Sequence, residues 1–188
     1  QWLGIHPTAI WGAIFGMTWD IAGNENVLGV AKHLYTTMFM NYSTIAAGTF
    51  ALAPVLSILF FSKLKQNKKI TKVALAPAIF NISEPITFGL PIILNPIYFI
   101  PFIIVQPLCF YIAVFFTKVG FIPVVCNNVP WTVPPIISGI LFTGTIAGGL
   151  VQLINLVISM AIYYPFVKIA DKMELDKMTE TEKLEAVE

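Results

Sequence analysis

The stretch NISEPITFGLP, residues 81–91, sets a carboxylate and two prolines inside one of the most apolar parts of the chain. Between Val73 and Val167 the only formal charges are Glu84 and Lys118. A charge at membrane depth costs at least about 2.5–3.5 kcal/mol. Each internal proline removes a backbone donor and crowds the turn before it. A broken backbone at that depth is tolerated only where protein buries it or where it lines a wet cavity. The stretch therefore predicts a broken helix with a polar purpose.

The surroundings set the class. The chain has 188 residues, 57% hydrophobic and 11% charged, with a formal net charge of +1 and no arginine. The uncharged runs 34–62 and 119–167 exceed the roughly 20 residues that cross a bilayer. This composition predicts an all-α integral membrane protein, and the near-zero charge gives no reason to expect nucleic acid as a partner. Cys109 and Cys126 stand far apart without metal-ligand spacing and read as small apolar fillers. The opening QWLGIHP carries neither an initiator methionine nor a signal-peptide pattern, and reads as the later part of a longer protein.

Topology follows from the lysines. Lys63, Lys65, Lys68, Lys69 and Lys72 read as a short basic loop after an apolar run, which the positive-inside rule assigns to the cytoplasm. Lys168 and Lys172 place the tail, residues 169–188, on the same side. An even number of crossings must then connect residues 73 and 167. Pro77, Pro85 and Pro91 interrupt the segment 73–94, and Pro123, Pro130, Pro134 and Pro135 interrupt 121–140. Segments 96–117 and 141–167 read as spanning helices, with Pro101 and Pro107 as possible kinks in the first. The expected architecture is spanning helices plus two proline-broken re-entrant hairpins that enter from opposite faces, the arrangement of a transporter whose site lies near the midplane. Upstream, residues 33–62 read as one long helix, and DIAGNEN, residues 20–26, as a turn with Asp20 and Glu25 in solvent.

Four positions attract chemistry. Glu84, with Asn81 one helical turn earlier, offers acceptors and a donor suited to adjacent sugar hydroxyls; its competing role is a protonated carboxyl that bonds backbone freed by the prolines. Trp131, in NNVPWTVPP, is either an interfacial anchor or an aromatic platform for a pyranose, with Asn127, Asn128 and Thr132 as polar neighbours. His6 has Trp2 on the same side if its segment is helical. A lone histidine is more often structural than catalytic. His33 reads as an interface residue. No nucleotide loop, zinc spacing or nucleophile constellation is present in the sequence, and no cofactor or metal is expected.

Together, NISEPITFGLPIILNP, GIHP and NNVPWTVPPIISG resemble enzyme IIC of the bacterial phosphotransferase system, in its lactose/cellobiose branch, which includes diacetylchitobiose transporters. The resemblance runs over essentially the whole chain and implies the C-terminal transport domain, residues 1–168, of a multi-pass plasma-membrane permease. It implies that a β-linked disaccharide is bound outside and carried across, and that its 6-hydroxyl is presented to a phosphocysteine on the separate IIB protein. IIA, HPr and enzyme I act upstream, and a homodimer forms through an N-terminal half that this chain lacks. Carried over by motif, Glu84 and His6 stand near the phosphorylated hydroxyl, and Asn81, Trp131 and Trp2 at sugar contacts. The family usually has Gly where Pro7 stands and often Thr where Val133 stands. The chief competing function is a proton-coupled secondary sugar transporter that uses Glu84; a membrane scaffold with no sugar site is the other.

Overall fold

The computed structural model describes residues 12–90, 92 and 95–185. Trp2, His6, Pro7 and Pro91 lie outside the described residues. All regular structure within them is helical. A π-helical turn, Gly12–Gly16, leads into α1 (Met17–Val27). Then come α2 (Thr37–Met40) with a π-helical extension, Asn41–Ile45, and α3 (Leu52–Phe61). α4 (Lys65–Ile79), α5 (Glu84–Gly89) and α6 (Pro96–Lys118) follow, and α7 (Ile137–Thr143) and α8 (Ile146–Glu185) complete the chain.

Among the described residues two helices are long and apolar enough to cross a bilayer, Pro96–Lys118 and the Ile146–Thr179 part of α8. The Asn95 side chain accepts from the Ile97 backbone N–H and caps α6. Pro96 takes the first helical position, where its missing N–H is harmless. Pro101 and Pro107 leave α6 continuous. Tyr98, Pro101, Val105 and Cys109 form its buried stripe, while Ile100, Ile104, Leu108, Tyr111 and Phe115 face outward. So large an exposed apolar face suits lipid.

α8 is the spine. At its start it packs on α7, where Gly139, Gly148 and Gly149 let the two helices approach closely. Further along it packs on α3: Ser57 Oγ reaches the Met160 carbonyl at 3.5 Å, and Lys168 Nζ donates to the Phe61 carbonyl at 2.7 Å. Asp171, 3% exposed, accepts from Ser62 Oγ at 2.8 Å and from the Lys63 backbone N–H. From Gly149 to Asp171 a straight helix rises about 33 Å, close to the ~30 Å hydrocarbon thickness. Removing the Asp171 acceptor strands the buried Ser62 hydroxyl and the partly buried Lys63 N–H. Asp171→Ala is expected to destabilise the protein by about 1–3 kcal/mol, read as a lower melting midpoint of the complete protein in detergent; an unchanged midpoint would show the contact to be idle.

Three sequence expectations change. Residues 33–62 are not one helix. The backbone widens at Asn41–Ile45, and Gly48 turns at a φ of +72° before α3 begins. A Cβ on Gly48 would lie 2.8 Å from Pro135 Cγ, so the break is made by a residue more than eighty positions away. Thr49 Oγ1 donates to the Thr44 carbonyl at 2.8 Å, serving one acceptor that the break leaves open. Lys65, Lys68, Lys69 and Lys72 form the first turns of α4 rather than a loop; lysine is a good helix former. DIAGNEN lies within α1, where Asn26 bonds the next loop: its Oδ1 accepts from the His33 backbone N–H at 2.6 Å, and its Nδ2 donates to the His33 carbonyl at 2.7 Å. Glu25 pairs with the His33 ring, with 2.6 Å between Oε2 and Nε2.

Candidate functional site

Both proline-rich segments fold back on themselves. α4 ends because Asn81 adopts a left-handed backbone, with φ +62°, the conformation that most often stops a helix at Gly or Asn. The Phe80, Asn81 and Ile82 N–H groups turn back to the carbonyls of Pro77, Ala78 and Pro77. α5 then starts at Glu84, with Pro85 in its first turn and Thr87 bonded to the Ser83 carbonyl through both its backbone N–H and its hydroxyl. The left-handed Asn81, rather than Pro85, makes the break, and Pro85 opens the new helix. At the far end of this hairpin, a Cβ on Gly89 would sit 3.1 Å from Ile70 Cγ2, which places α5 beside the base of α4.

The second hairpin pairs an extended limb with α7. Asn127 Nδ2 donates to the Leu141 carbonyl at 2.8 Å across the hairpin, and Asn26 Nδ2 lies 3.2 Å from the Val125 carbonyl. The tip is Trp131 to Ile136, stiffened by Pro134 and Pro135.

The two tips meet through Asn81. Its side chain, 5% exposed, donates Nδ2 hydrogens to the carbonyls of Trp131 at 2.7 Å and Val133 at 2.9 Å. Two carbonyl acceptors fix the amide orientation, since only the –NH₂ end can serve both. Among the described residues Asn81 Oδ1 is buried without a donor. A buried acceptor without a partner costs about 1–3 kcal/mol. The sequence named Asn81 as a hydroxyl-binding group; its geometry adds a second role, holding Trp131 in place. Asn81→Ala is expected to lower ligand affinity about tenfold or more, because it frees two tip carbonyls as well as removing a contact. Calorimetric titration of the complete protein against a β-disaccharide tests this, and unchanged affinity would exclude Asn81 from the site.

Glu84 begins α5, where its charge faces the positive end of the helix. Its carboxylate is exposed and has no hydrogen-bond or ion-pair partner among the described residues. Bonding to freed backbone, the competing role for Glu84, is thus not what the geometry displays. Trp131 is 47% exposed, so its ring is available as a surface. The described structure brings Asn81, Glu84 and Trp131 onto two touching tips; the placement of His6 and Trp2 lies outside it.

A separate open cleft of about 360 Å³ lies between α1, α2 and the extended limb, lined by Trp19, Asp20, Asn24, Thr37, Asn41 and Asn128 among others. Asn81, Glu84 and Trp131 do not line it. No group of three or more His, Cys, Asp or Glu suited to a metal occurs among the described residues. The residues that brace the second tip, Gly48, Ser138 and Gln152, were not singled out from sequence. The polar residues Gln152, Asn155 and Ser159 at helical spacing in an apolar run were the available signal.

Comparison with known proteins agrees with this layout. The oligo-beta-mannoside-specific EIIC component of Bacillus subtilis (strain 168) is 37% identical over 185 residues, covering 94% of this chain and 42% of that protein. The cellobiose-specific EIIC component of Lactococcus lactis subsp. lactis (strain IL1403) is 42% identical over 130 residues, covering 69% of this chain and 26% of that protein. The lactose-specific EIICB component of Staphylococcus aureus (strain N315) is 34% identical over 182 residues, covering 93% and 32%. In three dimensions the chain matches the transporter ChbC, the IIC component of the N,N'-diacetylchitobiose-specific phosphotransferase system, with a TM-score of 0.86 and 32% identity over 95% of this chain and 43% of ChbC. The chain thus spans less than half the length of these relatives. The family profile described as Phosphotransferase system, EIIC matches residues 2–105, more than half of the chain, and with the tip-to-tip hairpins already in place the chain belongs to that family.

Proposed function

We propose that this chain is the substrate-binding part of a sugar permease that takes a β-linked disaccharide across the plasma membrane and presents its 6-hydroxyl to phosphorylated IIB. The single observation that carries this reading is the junction of the two hairpin tips. Asn81 holds the Trp131 backbone, and the Glu84 carboxylate, without a partner among the described residues, lies one short turn further on.

The chemistry suits these groups. Phosphoryl transfer is mostly positioning and electrostatics. The sugar ring packs against the Trp131 face, beside Asn81, which holds that segment in place. The 6-hydroxyl oxygen attacks the phosphorus of the IIB phosphocysteine, the S–P bond breaks, and the thiolate leaves. The hydroxyl proton passes to the Glu84 carboxylate, which must lie within hydrogen-bond reach of it. His6 donates to the same oxygen or to the incoming phosphoryl group. In this reading both hairpins are re-entrant, the lysine-bearing end of α4 and the tail after 168 are cytoplasmic, and residues 1–168 form the transport domain. The homodimer contact comes from an N-terminal half outside this chain.

The test uses vesicles holding the complete permease, with phosphoenolpyruvate and the soluble components on the cytoplasmic side and radiolabelled cellobiose outside. Internal cellobiose phosphate ester that requires IIB supports the proposal. Free sugar that accumulates on a pH gradient without IIB would replace it with proton-coupled transport.

A further inference from the structure

The tip of the second hairpin is strained. Ile136, a β-branched residue, sits at φ +73° and ψ −53°. L-residues rarely adopt that region, and such a residue persists only where its surroundings over-determine it. One side chain from the spine supplies much of that determination. Gln152 on α8 is fully buried; its Oε1 accepts from the Ile136 backbone N–H at 2.8 Å, and its Nε2 donates to the Tyr42 carbonyl at 2.9 Å. Ser138 Oγ lies 3.0 Å from the same Oε1 and 3.1 Å from the Ala46 carbonyl oxygen, and its one proton serves either.

Shape completes the clamp. A Cβ on Gly149 would lie 2.8 Å from the Ile136 carbonyl oxygen, and one on Gly48 would lie 2.8 Å from Pro135 Cγ. The tip is therefore wedged between two glycines and tied by one amide to α8 and to the π-helical stretch after α2. Gln152 and Ser138 are fully buried, so few other partners exist for their polar groups. An amide suits the position because it offers an acceptor on one side and donors on the other.

We propose that Gln152 is a positioning residue for the sugar site. It fixes Ile136 and Ser138, and so sets where the Trp131–Val133 segment stands when Asn81 grips its carbonyls. The functional half of this proposal rests on the sugar-permease reading above; the clamp itself does not.

Two variants of the complete permease test it, Gln152→Met, which keeps bulk and loses the polar ends, and Gln152→Glu, whose neutral acid keeps one donor and one acceptor. Amide exchange across Ile136–Ser138 is measured without sugar, and phosphoenolpyruvate-dependent cellobiose uptake is measured alongside. Gln152→Met is expected to speed exchange at the tip and raise the sugar KM about tenfold with Vmax largely kept. Gln152→Glu is expected to recover most of the affinity. A lower Vmax at unchanged KM would mean that Gln152 only sets the number of folded molecules, and would overturn the proposal. So would unchanged exchange at the tip. If the wild type takes up no β-disaccharide while Gln152→Met still frees the tip, the permease reading falls and the clamp stands.

Discussion

Glu84→Gln in the complete permease is expected to reduce IIB-dependent formation of sugar phosphate by about 10²–10⁴-fold, the usual range for losing a general base. Disaccharide affinity should change only a few-fold. Glutamine has the same shape, still accepts a hydrogen bond from the 6-hydroxyl through Oε1, and cannot take its proton. The exposed, unpaired state of Glu84 makes the substitution clean, because no ion pair or hydrogen bond among the described residues is broken with it. The readout is the rate of labelled phosphate ester inside vesicles, with binding measured separately by calorimetry. A rate within threefold of wild type would remove Glu84 from the chemistry. A collapse in binding as well as rate would recast Glu84 as a sugar contact rather than a base.

The rival roles of Glu84 separate in the same assay. A proton-coupling carboxylate would make Glu84→Gln lose pH-driven accumulation of free sugar and leave sugar phosphate out of account. Asn81 helps distinguish the two. On the proposed reading its grip on Trp131 and Val133 positions the sugar platform, so Asn81→Ala should act on KM while Glu84→Gln acts on turnover.

The helix breaks around Glu84 were legible because proline and a lone charge are strong local signals in an apolar run. The helix at Pro96–Lys118 was legible from length and hydropathy. The expected span 141–167 begins instead at Ile146, after a break at Gly144, and runs on to Glu185 through the residues read as a tail. Other features were set by distant parts of the chain. Residues 33–62 read as one helix because nothing local forbids it. Gly48 turns there to admit Pro135, and only the folded chain brings those two together. The lysines at 65–72 mark a membrane side in either a loop or a helix, so their charge could not reveal the start of α4. Each site residue was visible singly, yet the Asn81–Trp131 contact joins residues fifty positions apart, and no periodicity encodes it. Gln152 was hidden for the opposite reason: one amide barely lowers the hydropathy of a long apolar helix, although its partners make it the tie between spine and hairpin.

The second large effect is expected at Gly148. Gly148→Ala should destabilise the complete protein by about 3 kcal/mol or more, at the upper end of overpacking costs. That corresponds to a melting midpoint lower by about 6–12 °C for a domain of this size. A Cβ there would overlap Thr143 Oγ1 and the Gly139 carbonyl oxygen. Neither can yield cheaply. Thr143 Oγ1 donates to that same carbonyl at 2.8 Å, and the carbonyl belongs to the α7 backbone. Relief requires α7 and α8 to move apart, and any shift of α8 would strain the bond that the Tyr42 hydroxyl donates to the Gly148 carbonyl at 3.0 Å. Gly120→Ala is the control: its φ of +78° carries backbone strain of about 1–2 kcal/mol, but the space around it is open. Gly148 has no positive φ, so a loss there no larger than at Gly120 would mean that the added Cβ is accommodated and that α7 does not press on α8. A much larger loss at Gly148 would show that the close approach of these two helices holds the second hairpin against the spine, which is the condition for Gln152 to reach Ile136 at all.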